Sequence, residues 1–385
     1  MARYSMKRKI LLVTERRADY TKLRPILKEI SKSKKLDYFL IVTGSHILKE
    51  HGKTIDEIKK DGFKITTIFP MFKKTKKDNG AEMTRSFGRA VSNLSDIIEK
   101  IKPDIVLTGF DIAANFAAAI IGAHMNIVVA HIEGGEVTGT IDESIRHATS
   151  KFAHIHFTSN FNATNRLKKM GENPKYIFTV GNTSLDGIKN MKSINKKILS
   201  KKYEIDLSKP FLIILQHTVT SEINYIQKNF LKTLNAVKEL KIPSIFIFGN
   251  SDAGSKQISE LIKNSEIKQY LSVPYDDYIN LLKNSSALVG NSSSGIIEAP
   301  FLHIPTINIG TRQRGRLQSN SIIDVNHSKD DIKKAIIKSI ENKKFLIKVK
   351  KAKSFYGKGN SAKKIVHILE QIDLNKIPIQ KTMMY

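Results

Sequence analysis

The feature that most limits what this chain can fold into is a rhythm of short apolar runs separated by stretches with helical periodicity, and the rhythm occurs twice. In the first half the runs fall at 10–14, 38–42, 105–108, 128–131 and 155–158, with helical patterns at 21–30, 82–102 and 115–122. Uninterrupted runs of four or five apolar residues are what strands buried on both faces look like, and intervening helices supply the crossovers that parallel neighbours need. After a basic, irregular stretch at 188–210 the rhythm restarts, with strands expected at 211–215, 244–248, 287–290 and 306–309 and helices at 222–240, 253–263 and 275–284. The expectation is an α/β protein of two doubly wound, Rossmann-like domains, residues 1–185 and 186–385, with the last helix free to pack back on the first domain. Ligands of open parallel sheets bind outside the carboxyl ends of the strands, so two such sheets facing each other would define one cleft.

Composition removes several chemistries. The 385 residues contain no cysteine, which excludes disulfides, thiolate-bound zinc, iron–sulfur clusters and thiol nucleophiles. The apolar run after the basic start is too short for a signal peptide, and no stretch reaches membrane-spanning length, so a cytoplasmic protein is expected. A formal charge of +28 raises nucleic acid as a partner. The lysines, however, are scattered over the polar faces of amphipathic segments, as at 32–35, 73–77, 196–202 and 343–353, without interleaved aromatics. That is a solvated-surface pattern, so nucleic acid is not the expected partner.

Three segments carry chemistry. GNSSSGIIEA, 290–299, follows a run and opens a helix; backbone amides and the hydroxyls of Ser292, Ser293 and Ser294 suit a phosphate, and Glu298 suits ribose hydroxyls, although an ordinary capped turn has the same composition. HIEGGEVTGTIDESIRH, 131–147, crowds Glu133, Glu136, Asp142 and Glu143 into a Gly-rich loop where proton-transfer carboxylates are expected. Glu143 shares a helix face with Arg146 and His147, but Thr140 and Glu143 also fit a capping box. In LQHTVTSE, 215–222, His217 follows directly on a buried strand, where it can serve a leaving phosphate or be merely structural. No zinc-ligand spacing, P-loop or G-x-G-x-x-G follows the first strand, so neither metal nor redox cofactor is expected.

Together with RADY at 17–20, NSDAGSK at 250–256 and GTRQRGR at 310–316, these blocks, in order over nearly the whole chain, resemble the hydrolysing UDP-N-acetylglucosamine 2-epimerases of sialic-acid synthesis. The resemblance implies two facing Rossmann-like domains similar to the GT-B glycosyltransferase fold, no cofactor, and a homodimer or homotetramer. It assigns Arg17, Thr21, Ser292, Ser293, Glu298 and Arg312 to the nucleotide diphosphate, Asp111, Glu133, Glu143 and His217 to catalysis or sugar contact, and Asn250, Asp252 and Lys256 to a further cleft block. The implied substrate is a UDP-N-acetylated sugar, converted to UDP and the free 2-epimer through a 2-acetamidoglycal. One block departs from the family's His-Gly-Asp-Arg plus acid: TGFDIAANF, 108–116, keeps Asp111 but places Phe110, Ile112 and Ala114 where glycine, arginine and the acid stand. Loss of charge at Ile112 and Ala114 suggests a less polar site and, as the alternative substrate, a UDP-2,4-diacetamido-6-deoxy sugar. A GT-B glycosyltransferase would use the same nucleotide site, and a basic nucleic-acid-binding protein would account for the charge while leaving the ordered motifs unexplained.

Overall fold

The computed structural model describes residues 7–49, 52–73, 79–189, 191–248 and 255–384. The first sheet contains seven parallel strands: β1 (Arg8–Thr14), β2 (Leu36–Val42), β3 (Ile65–Ile68), β4 (Ile105–Gly109), β5 (Val128–Ile132), β6 (Ile155–Thr158) and β7 (Ile177–Thr179), in spatial order β3-β2-β1-β4-β5-β6-β7. The second contains six: β8 (Leu212–Leu215), β9 (Ser244–Ile247), β10 (Lys268–Tyr270), β11 (Ala287–Gly290), β12 (Thr306–Ile309) and β13 (Ile322–Val325), in order β10-β9-β8-β11-β12-β13. In each sheet the order reverses direction once, between β1 and β4 and between β8 and β11, and at such switch points neighbouring loops diverge to leave a crevice.

Alternation along β1 explains why its sequence is continuously apolar. Ile10 and Leu12 enter one core and Leu11 and Val13 the other, all at most 1% exposed. On β8 the same division sends Leu212 and Ile214 to one side and Ile213 and Leu215 to the other. Helix α1 (Arg17–Lys32) covers one face of the first sheet, while α3 (Gly80–Ile101) and the alanine-rich α4 (Ala113–His124) cover the other, after the short α2 (Ile55–Lys60). The chain continues through α5 (Asp142–Phe152), α6 (Phe161–Lys169) and α7 (Ser184–Lys189) into the second sheet, whose helices are α8 (Lys196–Tyr203), α9 (Ile226–Leu240), α10 (Ser255–Lys263), α11 (Tyr275–Asn284), α12 (Glu298–Phe301), α13 (Lys329–Glu341) and α14 (Lys343–Lys350). Among the described residues no helix is long and apolar enough to cross a membrane.

The stretch expected to be irregular, 188–210, contains α8, whose Leu199 and Tyr203 are buried against the second sheet. The helix expected over 222–240 is broken: a 3-10 segment, Thr220–Tyr225, with Glu222 off helical geometry precedes α9. The final helix, α15 (Ser361–Gln371), returns to the first sheet, inserting Ala362, Ile365, Val366 and Leu369 into the core that holds Leu23, Ile26 and Leu27 of α1.

Candidate active site between the two sheets

Loops leaving the carboxyl ends of both sheets line one cleft, which encloses about 1370 Å³ of space free of protein atoms, its open mouth included. Arg17, Thr21, Asp111, Glu133, His217, Ser292, Ser293, Glu298 and Arg312, all expected from the sequence, line it. Asn250 and Asp252 lie outside the described residues, and of Lys256 only the helical backbone of α10 is described. The two sides of the cleft are tied together by backbone and guanidinium contacts. Arg17 donates to Ser272 Oγ at 2.7 Å and Val273 O at 2.8 Å, Arg316 Nε donates to Val137 O at 2.9 Å, and Gly139 N donates to Arg312 O at 3.0 Å.

The wall formed by the second sheet is suited to an anion. At Gly290 φ is +139° and a Cβ would lie 2.2 Å from the Leu215 carbonyl oxygen, so the turn after β11 can pass that close to β8 only with glycine. Asn291 then clamps the loop after β8: its Oδ1 accepts from His217 N at 2.7 Å and its Nδ2 donates to His217 O at 2.9 Å. Ser292 Oγ accepts from Ser294 N at 3.3 Å, starting the short 3-10 turn Ser293–Gly295, and Ser294 Oγ pairs with the Tyr278 hydroxyl at 2.6 Å. Burial, reinforced by Arg312, Arg16 and Arg17, pushes the His217 imidazole well below its usual pKa and favours its neutral form. Arg16, Arg17 and Arg312 act on His217, and Arg316 lines the cleft with them. Glu298 is buried at the start of α12; its Oε2 has no hydrogen-bond partner among the described residues, and burial raises its pKa. An acceptor left unsatisfied in a cationic cleft fits paired hydroxyls of a ligand.

The wall formed by the first sheet carries the carboxylates. Phe110, Asp111 and Glu133 follow the ends of β4 and β5 with φ of +67°, +56° and +64°. Left-handed backbone costs a non-glycine residue about 1–2 kcal/mol, and strain retained at three lining positions marks the place where side-chain aim outweighs local stability. Asp111 Oδ2 is bound by Arg146, a guanidinium 1% exposed that also donates to Glu136 O at 3.1 Å, while Asp111 Oδ1 is buried without a partner among the described residues. Glu133 is fully engaged: Oε2 receives Lys22 Nζ at 2.7 Å and Oε1 receives Asn182 Nδ2 at 2.7 Å. The two acids are displaced in opposite directions. Burial raises the Asp111 pKa despite the opposing charge of Arg146, whereas for Glu133 the effect of burial is outweighed by Lys22, with help from Arg316 and Arg146, and its pKa falls. Neighbouring carboxyl groups pushed apart in this way are the arrangement from which one ionised base and one protonated acid are drawn.

Several expected residues have different surroundings from those anticipated. Glu143 is not among the side chains lining the cleft; its carboxylate accepts from Thr138 N at 2.9 Å and lies 3.5 Å from His147 Nε2. Asp19 of the RADY block, of which no role was expected, also lines the cleft and closes the β1–α1 turn by accepting from Glu15 N at 2.7 Å and Arg16 N at 3.0 Å. Ile112 and Ala114, from which a less polar site was argued, are 4% and 0% exposed and do not line the cleft; of the three departures only Phe110 does. Sequence reasoning missed Lys22 and left Arg146 as a mere helix-face neighbour. Lys22 stands five residues beyond Arg17 on a helix that opens at the cleft, which was the available signal.

The chain matches the family model described as UDP-N-acetylglucosamine 2-epimerase over residues 28–370. It is 33% identical over 384 residues, covering 99% of this chain and 100% of the relative, to the UDP-N,N'-diacetylbacillosamine 2-epimerase (hydrolyzing) of Legionella pneumophila. To the GDP/UDP-N,N'-diacetylbacillosamine 2-epimerase (hydrolyzing) of Campylobacter jejuni it is 38% identical over 326 residues, 83% of this chain and 84% of the relative. Among solved structures, that of UDP-GlcNAc 2-epimerase from Neisseria meningitidis bound to UDP-GlcNAc superposes with a TM-score of 0.79 over 94% of this chain and 99% of that one, at 22% identity. Two facing Rossmann-like domains in a GT-B-like arrangement are thus common to both.

Proposed function

The chain belongs to the UDP-N-acetylglucosamine 2-epimerase family, and from that premise we propose that it is a hydrolysing 2-epimerase that converts a UDP-N-acetylated sugar to UDP and the free 2-epimer. The observation that carries this reading is the pair Asp111 and Glu133, buried at one end of an arginine-lined cleft with their pKa values displaced in opposite directions. The proton at C2 is too weakly acidic to leave alone, so its removal is coupled to loss of the anomeric substituent. Glu133, held ionised by Lys22, takes that proton; the C1–O bond breaks, its electron pair leaves with UDP, and a 2-acetamidoglycal remains. Arg17, Arg312, the serine turn and His217 receive the negative charge that develops on the diphosphate. Water then adds at C1 and gives up a proton to solvent, while Asp111, protonated from solvent, delivers its proton to C2 from the opposite face. Proton exchange with solvent restores both acids.

Of the two sugars considered, the UDP-2,4-diacetamido-6-deoxy sugar is favoured, because the two relatives described above are named for that substrate. The domain division stays near residue 185, with Glu143 serving the loop at 138–143 and Thr21, Ser292, Ser293 and Glu298 the nucleotide. Proton NMR in deuterated water with UDP-N,N'-diacetylbacillosamine and, separately, UDP-N-acetylglucosamine tests the reading. Free 2-epimer carrying deuterium at C2, together with UDP, is the expected product of at least one; epimer still attached to UDP, or product without deuterium, overturns it.

A further inference from the structure

Phe110 occupies a position where glycine would fit the backbone without strain and the chain has an aromatic ring instead. Its φ is +67°, and the preceding Gly109 leaves no space for the turn to shift, since a Cβ there would lie 2.8 Å from the Ile132 carbonyl oxygen. The ring is only 5% exposed; it joins the core that contains Ile132 and Val180 on one side and lines the cleft on the other. Lys22 Nζ lies 5.2 Å from the ring centroid and also donates to Glu133 at 2.7 Å. The ring is therefore a fixed apolar wall at the carboxylate end, where Lys22, Asp111, Glu133, Asp142 and Arg146 are all polar.

The chemistry of such a wall is selective. A sugar hydroxyl turned toward it gives up hydrogen bonds to water and receives none in exchange, whereas a methyl group gives up nothing and gains contact. We propose that Phe110 is the specificity-determining residue of the cleft, its ring being the surface against which the methyl group of a 6-deoxy sugar packs and from which a hydroxymethyl group is disfavoured. This rests on the hydrolysing-epimerase reading of the same site.

The test is the ratio of kcat/KM for UDP-N,N'-diacetylbacillosamine over its 6-hydroxy analogue, UDP-2,4-diacetamido-2,4-dideoxyglucose, which differs from it at C6 alone, in the wild type and in Phe110→Gly, Phe110→Leu and Phe110→Tyr. Glycine suits the backbone and removes the wall, so the ratio falls at least tenfold; leucine keeps an apolar wall and most of the ratio; tyrosine adds a hydroxyl partner and lowers the ratio at least threefold. Damage to the setting of Asp111 or Glu133 would lower both activities together and leave the ratio unchanged. A ratio unaltered in the glycine variant, or lowered as far by leucine as by glycine, overturns the proposal while the epimerase reading stands. Should the glycine variant fail to fold, the tyrosine variant decides by the same threefold criterion. A wild type that turns over UDP-N-acetylglucosamine but neither of this pair overturns the proposal alone, and one that turns over none of the three refutes the epimerase reading and the proposal with it.

Discussion

Replacing Lys22 by methionine keeps most of the length of the side chain and removes the charge that holds Glu133 ionised. The pair is nearly dry, with side chains 15% and 4% exposed and 2.7 Å between Nζ and Oε2. At an effective dielectric constant of about 20, unit charges about 4 Å apart attract by roughly 4 kcal/mol, and removing one partner of a buried pair costs about 3–5 kcal/mol because the other is left uncompensated. The pH dependence gives the sign. In the wild type the Glu133 pKa is depressed, so the carboxylate contributes stability above its unfolded pKa, about 4.3, that is lost only as pH falls through the lower folded value. Without Lys22 burial dominates, the folded pKa rises above the unfolded one, and the penalty is full at high pH and fades as the acid takes up its proton. Urea unfolding should therefore place Lys22→Met about 3–5 kcal/mol below the wild type at pH 8 and much closer to it at pH 5. Adding Glu133→Gln should recover most of the loss at pH 8 without restoring turnover. An equal deficit at both pH values, or a double variant whose losses simply add, would refute the coupling.

Glu133→Gln is expected to abolish deuterium incorporation at C2 and cut turnover about 10²–10⁴-fold, while UDP affinity measured by calorimetry changes little. Asp111→Asn should instead still eliminate UDP and release 2-acetamidoglycal, detectable by its vinylic proton in the NMR spectrum; free 2-epimer at the wild-type rate would contradict the assignment. Gly290→Ala, with φ at +139° and a Cβ 2.2 Å from the Leu215 carbonyl oxygen, should lose roughly 3 kcal/mol in urea unfolding and bind UDP more weakly. His217 has its pKa lowered by burial and three arginines, and the negative charge of a bound diphosphate opposes that lowering. UDP binding near pH 6 should then take up a proton, seen as a buffer-dependent binding enthalpy, and His217→Asn should remove that uptake.

What the sequence made legible follows burial. Strands β1, β2, β4, β5, β6, β8, β9, β11 and β12 were read from their apolar runs because they are sheltered on both faces. The missed strands β3, β7, β10 and β13 are the edges of the two sheets, and their half-exposed sequences, ITTI, IFT, KQY and IIDV, carry no continuous run. The site was legible where glycine and serine spacing dictates a turn, as at Gly290–Ser294, or where an acid follows directly on a buried strand, as at Glu133. It was not legible where a partner arrives from elsewhere in the chain. Nothing near Glu133 announces that Lys22 and Asn182 will hold it, and nothing near Asp111 announces Arg146. Ile112 and Ala114 illustrate the converse: a motif can be read residue by residue and still mislead, because the chain has already left β4 there, Ile112 standing at the N-terminus of α4 and Ala114 packing from that helix into the core.

The return of α15 to the first sheet sets a timetable for synthesis. Ala362, Ile365, Val366 and Leu369, with Ile377 after them, complete a core whose remaining members are already translated by residue 180. At roughly 5–20 residues per second, a ribosome takes about ten to forty seconds to reach them. Over that interval the nascent first domain waits with α1 uncovered along the stripe that α15 will occupy, exposed to chaperones and proteases. The closing step of its folding falls to a segment translated only after the strands of the second sheet.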